Sequence, residues 1–449
     1  MDISIEEKRQ FCLGLFDEKR KETEKITTAN IEKYRKGNCR VQLTGQDGRP
    51  LAGAKVKVRQ MTHDFKYGAN IFLLDEFEKE EENQAYREMF AQYFNLATIP
   101  FYWAELEPEE GKPRYASDSK KIWRRPAPDL CLNYCEEKGI SGKLHCLFYD
   151  KFIPAWLPKQ DAAAMKRLYE KRFAEIAARY SGKLYEVEVT NEMLYESGWT
   201  ENSVLTGKRD IIEWCFAQAS KFFNGDKLVI NEGNQIDTLC REGYRSPYFM
   251  QLDMLLSHGT PINKIGMQAH LFDYMGAIEE REKKGRTENM DPELLLKGLN
   301  CLAELGKPLE ITEVTIPTLG KTQEDEEIQA QILKELYTIW FSIPAMESVV
   351  YWNTVEGTAY NSGENRASGG LFHRDFTPKK SALMLKKLFE EIWHTELELT
   401  ADEDGIVDFR GFYGEYILEC GSNKRSFGIH KGENPVKELV LFPCGPANP

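Results

Sequence analysis

The sequence predicts an α/β protein, a (β/α)8 TIM barrel with a small accessory β-sandwich assembled from strands at both ends of the chain. Three observations predict it. Across the middle of the chain, eight short apolar segments alternate with longer helical ones, the order of a parallel α/β barrel. Several of these segments end in polar residues, as barrel strands do where they present side chains at their C-terminal face. Before and after this region lie short segments of alternating polar and apolar residues, separated by turn residues. With 449 residues there is room for a barrel of about 250 to 400 residues and a further module.

In chain order, residues 1–36 are dense in Lys and Glu, with apolar positions at Ile5, Cys12, Leu13, Phe16, Ile26, Ile31 and Tyr34. They read as an N-terminal helical segment of one or two amphipathic helices. Residues 37–64 supply strands to the accessory module. Cys39–Thr44 and Lys55–Met61 flank the turn signal Gln46-Asp47-Gly48-Arg49-Pro50 and are expected to pair as an antiparallel two-stranded piece. Such a piece needs more strands to be stable. Residues 393–449 offer them, at Thr395–Thr400, Ile406–Arg410, Tyr413–Glu419, Arg425–His430 and Val436–Phe442.

The catalytic barrel is assigned to residues 65–392. Its strands are expected at Tyr67–Phe72, Phe94–Ile99, Lys143–Phe148, Leu184–Asn191, Leu228–Glu232, Lys264–Leu271, Pro308–Val314 and Ser348–Asn353. Ala162–Tyr180, Ile211–Phe223, Pro292–Leu305, Glu324–Phe341 and Lys379–Ile392 have helical periodicity. The long, charged connection Glu107–Asp129 follows the second strand, so it belongs to the face where a barrel sets specificity. Within it, Arg124 and Arg125 are read as solvated or paired with acidic neighbours, the alternative being contact with the carboxylate of a uronic acid.

Bulk properties exclude several classes. The 59 basic and 72 acidic residues give a net charge of -13, which argues against a nucleic-acid partner. No stretch of roughly 18 apolar residues suggests a membrane span, and Met1–Lys8 lacks the features of a signal peptide. The ten cysteines include no Cys-x-x-Cys pair. They are read as reduced thiols of a cytoplasmic protein rather than zinc ligands.

Polar residues collect at the strand ends: His145, Asn191 and Glu192, Asn231 and Glu232, Gln268 and His270, Glu313, and Trp352 with Asn353. Leu184–Val189 is an apolar, β-branched run that stops at Thr190-Asn191-Glu192, and Pro308–Val314 repeats the design with Glu313. Two strand-end glutamates facing across a cleft are the minimal equipment for hydrolysing a glycosidic bond.

These residues also carry a family resemblance. Val189-Thr190-Asn191-Glu192 resembles the acid/base motif of glycoside hydrolase family 10, the xylanase family of clan A, and Ile311-Thr312-Glu313-Val314 resembles its nucleophile motif. Gln268-Ala269-His270 is similar to the family's Gln-x-His strand, Asn231-Glu232-Gly233-Asn234 to its Asn-Asp-Tyr-Asn strand, and Leu144-His145-Cys146-Leu147 to its Gly-His-Thr-Leu strand. Gly370-Leu371-Phe372 with Pro378-Lys379 is similar to the segment after the last strand. The likeness spans roughly residues 65–390.

The resemblance implies a retaining mechanism on a β-linked sugar, with Glu313 as nucleophile and Glu192 as acid/base. It implies that Asn191 bonds the 2-hydroxyl, that His270 and Gln268 orient Glu313, that His145 meets a sugar hydroxyl, and that Trp352 forms an apolar floor. Trp103, Tyr149 and Asn231 complete the implied substrate-binding set. No metal or organic cofactor is required.

The sequence departs from the family where sugars are read. Ile99-Pro100-Phe101-Tyr102-Trp103 replaces Glu-Asn-x-Met-Lys-Trp, Tyr149-Asp150 replaces a Trp-His pair, and Trp352-Asn353 replaces Trp-Gly. The expectation is therefore an intracellular retaining β-glycosidase acting on β-linked glycosides or short oligosaccharides. The alternatives are a classical endo-β-1,4-xylanase and a non-catalytic carbohydrate-binding barrel.

Overall fold

The computed structural model describes residues 3–194, 203–272 and 290–441. The chain divides into two compact units. Met1–Arg20, Tyr67–Trp340 and Ala345–Leu383 form one, and Lys21–Lys66, Phe341–Pro344 and Met384–Pro449 form the other. The N-terminal helical segment is thus shared. The helix Ile5–Glu18 belongs to the first unit, and nearly all of Arg20–Tyr34 to the second.

Strands β1 (Lys36–Thr44) and β2 (Lys55–Gln60) precede the barrel. The barrel strands follow: β3 (Lys66–Asn70), β4 (Leu96–Pro100), β5 (Ser141–His145), β6 (Glu186–Asn191), β7 (Leu228–Glu232), β8 (Lys264–His270), β9 (Leu309–Thr315) and β10 (Met346–Tyr351). Among the described residues these eight close into a barrel in chain order, with β10 next to β3. The pairs from β3 through to β10 are parallel. All eight expected segments are strands, with ends displaced by a few residues.

Every residue of β6, β7 and β9 is buried, as befits parallel strands covered on both faces. The helices Ala162–Tyr180 and Pro292–Ala303 each start at an aspartate cap. Asp161 accepts from the backbone of Ala164, and Asp291 from Glu293 and Leu294. On Ile5–Glu18, Cys12, Leu13 and Phe16 are buried but Ile5 is exposed. On Arg20–Tyr34 the inward face runs through Thr23, Thr27 and Ile31 at a spacing of four, which leaves the expected Ile26 exposed.

The barrel interior is more polar than the apolar reading of Leu184–Val189 suggests. Lys143 Nζ lies 2.6 Å from Glu310, 3.5 Å from Glu186 and 3.4 Å from Glu188, while Lys264 Nζ lies 2.6 Å from Glu186. All five side chains are buried. Burial works against charge on Glu186, but the two ammonium groups outweigh it and hold its pKa below the usual carboxylate value. Burial raises Glu310, and the neighbouring Glu186 adds to the effect.

The second unit adds β11 (Glu396–Thr400), β12 (Ile406–Phe412), β13 (Gly414–Cys420), β14 (Asn423–Ile429) and β15 (Val436–Val440). They join the N-terminal strands in two sheets, ordered β12-β1-β15 and β11-β2-β13-β14. The sheets enclose one core that includes Val41, Leu43, Val56, Val58, Tyr416, Leu418 and Ile429, so the expected sandwich is present. The expected β1–β2 pairing is not made. β1 pairs with β12 and β15, and β2 with β11 and β13. Residues 45–54 form too long a connection for a tight hairpin, and they carry the chain from one sheet to the other. Phe442 lies outside the described residues. Among the described residues no helix is long and apolar enough to cross a membrane.

Candidate active site

The site begins with two irregularities in strand register. Between β6 and β7 the register shifts between Glu188 and Thr190, and between β8 and β9 it shifts between Met267 and Gln268. A bulge re-aims the side chains around it. Here successive residues of β9 reach the same partner: Thr312 Oγ1 donates to Asn231 Oδ1 at 2.6 Å, while Glu313 Oε1 accepts from Asn231 Nδ2 at 3.3 Å. Glu192 follows the end of β6 with a left-handed φ of 55°. Its backbone N–H donates to the Asn231 carbonyl at 3.2 Å. That backbone conformation is uncommon for a residue with a side chain and is held in place by its surroundings.

Glu192 and Glu313 share a donor. Gln268 Nε2 is 3.0 Å from Glu192 Oε1 and 3.0 Å from Glu313 Oε1. These two oxygens are therefore separated by no more than twice that distance. Asn231 Nδ2 also donates to Asn191 Oδ1 at 2.8 Å, which fixes the Asn191 amide beside the pair. His270 Nε2 is 3.2 Å from Glu313 Oε2, and its Nδ1 is 2.9 Å from Thr315 Oγ1. The Tyr149 hydroxyl donates to Glu192 Oε2. Five of the sequence-chosen residues thus converge on the two carboxyl groups: Asn191, Asn231, Gln268, His270 and Tyr149.

His145 and Trp352 belong to an adjoining layer. Trp352, Tyr102, Tyr149, Phe72 and Cys146 form one buried group, and the Trp352 ring meets those of Phe72 and His145 edge-on. His145 Nδ1 is 2.7 Å from Glu188 Oε1, and its Nε2 is 2.9 Å from the Tyr102 hydroxyl. Burial opposes a charge on this imidazole, yet Glu188 raises its pKa above the usual value. With both nitrogens engaged by protein, His145 acts on its neighbours here, whereas the sequence reading gave it a sugar hydroxyl.

Trp103 does not join the site. Its indole N–H donates to Glu107 at 2.8 Å and its ring packs on Trp156 and Tyr169. Tyr102, one residue earlier, faces His145 instead.

Sequence reasoning missed Glu188, Tyr102, Phe72 and Thr312 as contributors. Glu188 was hidden inside a run read as apolar, although an acidic residue three before Asn191 in a buried strand was a usable signal. Glu232, noted only as a strand-end residue, is buried and accepts from the backbone N–H of Leu194 at 2.8 Å and of Gly233 at 3.0 Å. Burial pushes its pKa up to about 8, against those two hydrogen bonds and with help from the nearby Glu192 charge.

His145, Cys146 and Glu188 present three possible metal-ligand atoms within 4.8 Å of one another. Glu188 is already occupied by His145 and by the Lys143 ammonium at 3.4 Å, and burial drives the Cys146 thiol well above its usual pKa. A cation would have to displace both partners and draw a proton from that thiol.

Comparison with known proteins agrees with the fold. The chain is 23% identical over 438 residues to endo-1,4-beta-xylanase 2 of Arabidopsis thaliana, covering 95% of this chain and 37% of the relative. It is 24% identical over 421 residues to anti-sigma-I factor RsgI6 of Acetivibrio thermocellus, covering 92% of this chain and 49% of the relative. The chain thus spans less than half the length of these relatives. Xylanase 10B from Thermotoga petrophila, solved in complex with xylobiose, superposes with a TM-score of 0.58 at 19% identity, covering 73% of this chain and 95% of that one. The model of glycosyl hydrolase family 10 matches residues 61–387, and the chain belongs to that family.

Proposed function

We propose that the protein is a retaining β-glycosidase that hydrolyses β-linked glycosides or short oligosaccharides by double displacement. The observation that carries this reading is the Gln268 amide nitrogen, 3.0 Å from an oxygen of each glutamate. Retaining enzymes hold their carboxyl groups about 5 to 5.5 Å apart, and inverting ones about 6.5 to 9.5 Å. Oxygens held within twice that distance of each other are compatible with the first spacing and fall short of the second.

In this reading Glu313 attacks the anomeric carbon while Glu192 protonates the departing oxygen. Glu192 then takes a proton from the incoming water, which displaces Glu313. Family membership supports the assignment of the pair. Gln268, Asn231 and His270 hold Glu313 in line, and Tyr149 fixes the second oxygen of Glu192. Asn191, held by Asn231, is available to the 2-hydroxyl. Trp352 offers an apolar surface beside the pair.

Classical endo-β-1,4-xylanase action is the second reading, favoured by the names of several relatives. A cytoplasmic setting belongs to the first. The buried thiols of Cys12, Cys131, Cys135 and Cys146 support it, and it suits short imported glycosides better than polymers.

The test is initial-rate hydrolysis of aryl β-xyloside, β-glucoside, β-galactoside, β-arabinoside, β-glucuronide, β-xylobioside and β-cellobioside, with Glu313→Gln in parallel. Turnover of a monosaccharide glycoside, abolished in the variant, supports the glycosidase. Turnover confined to the disaccharides favours the endo-xylanase. Tight binding without turnover of any of them points to a carbohydrate-binding barrel.

A further inference from the structure

Two arginines of the connection after β4 lie far from solvent. Arg124 is 2% exposed and Arg125 is 6% exposed. Burying a guanidinium costs several kcal/mol unless close partners compensate, and these two are incompletely provided for. Arg124 donates from Nη1 to the Thr358 carbonyl and from Nη2 to Asn353 Oδ1 at 2.8 Å, but its Nε has no hydrogen-bond partner.

Arg125 has less. Its Nη1 donates to the Arg124 carbonyl at 3.0 Å. Its Nε stands 3.5 Å from Glu105 Oε2, and neither atom makes a hydrogen bond. Among the described residues Nη2 of Arg125 donates no hydrogen bond, Nη1 alone doing so. This Nε–Nη2 edge, which Glu105 meets without a hydrogen bond, is the one with which a guanidinium grips a carboxylate through two parallel bonds.

The position of Arg125 connects it to the site. Its guanidinium lies 4.2 Å from the centroid of the Tyr102 ring and 5.6 Å from that of Phe152. The Tyr102 hydroxyl meets His145, and the rings of Tyr102 and Phe152 both pack on Tyr149, whose hydroxyl holds Glu192. The cation is therefore one aromatic ring away from a residue that touches the acid/base candidate. Compensating charge is remote or imperfect: Glu364 reaches Arg124 only through Asn353, whose Nδ2 donates to Glu364 Oε2 at 2.6 Å. Burial, followed by the adjacent Arg125 charge, brings Arg124 down to about 10, the mark of two like charges in one poorly hydrated place.

We propose that Arg125, backed by Arg124, reads a carboxylate on the substrate, which makes the substrate class an acidic glycoside or oligosaccharide bearing a uronic acid. This rests on the glycosidase reading above and narrows it. A planar carboxylate fits the Nε–Nη2 edge of Arg125 and supplies the two parallel hydrogen bonds that Glu105 does not make. A neutral sugar supplies no such pair.

The test measures binding, so it is separate from turnover. Full-length Glu313→Gln protein is titrated with methyl β-glucuronide against methyl β-glucoside, and with methyl β-galacturonide against methyl β-galactoside. The expected result is at least tenfold tighter binding of one acid than of its neutral counterpart. The preference falls at least tenfold in Arg125→Gln and is partly kept in Arg125→Lys, which also decides the matter if the glutamine variant does not fold. Equal affinities within both pairs, no binding of either acid, or a preference that survives loss of the Arg125 charge would overturn the proposal. Failure of the aryl glycoside panel with the acid preference intact would overturn the glycosidase reading alone.

Discussion

One side-chain nitrogen, Nε2 of Gln268, donates at 3.0 Å to a carboxylate oxygen of Glu192 and at 3.0 Å to one of Glu313. Two carboxyl groups this close repel one another when both are ionised. An amide between them eases that repulsion and fixes their separation. Gln268→Ala removes the donor, and kcat/KM is expected to fall about 10² to 10³-fold, the range for loss of one preorganised donor. Gln268→Glu places a third carboxyl group there and should be worse than the alanine variant. Steady-state kinetics on the best aryl glycoside decides this, and equal activity of the two variants would argue against an electrostatic role.

Lys143 bears on stability rather than chemistry. It stands among Glu186, Glu188 and Glu310, all buried. Lys143→Met leaves buried carboxylates without their cation and is expected to cost about 3 to 5 kcal/mol. Adding Glu310→Gln removes the closest of them and should restore part of the loss. Denaturant unfolding of the single and double variants measures it, and additive losses would contradict the network.

Glu232 predicts a pH dependence of stability. Its carboxyl is raised from 4.5 to about 8 in the folded protein. Between those values the folded state holds a proton that the unfolded chain has released, so this group's contribution to stability declines as pH rises. Below that window both states are protonated, and above it both are ionised with the penalty fully present. Thermal unfolding from pH 5 to 8 should therefore fall less steeply for Glu232→Gln than for the parent chain. Parallel curves would show that Glu232 ionises normally.

The barrel was legible because parallel strands covered on both faces leave apolar runs between helical stretches, as at Leu228–Glu232 and Pro308–Val314. The polar strand ends were legible for the same reason: Glu313 and Asn231 interrupt patterns that otherwise continue. The interior charges were not. Lys143 meets Glu310 across the barrel, and nothing local in either strand announces a partner so distant in sequence. The β1–β2 pairing failed because alternation fixes which face a strand buries but not which strand lies beside it. Arg124 and Arg125 look like ordinary loop cations until the aromatic group around them is assembled from Phe72, Tyr102 and Phe152.

The central claim is that Glu192 and Glu313 act as a retaining pair. The most direct measurement is the stereochemical course, followed by proton NMR of the anomeric signals during the first minutes of hydrolysis of the best β-glycoside. Retention predicts that the β-anomer of the product appears first and the α-anomer grows in later by mutarotation. Initial release of the α-anomer would contradict the account, because it requires a water between the sugar and the second carboxylate.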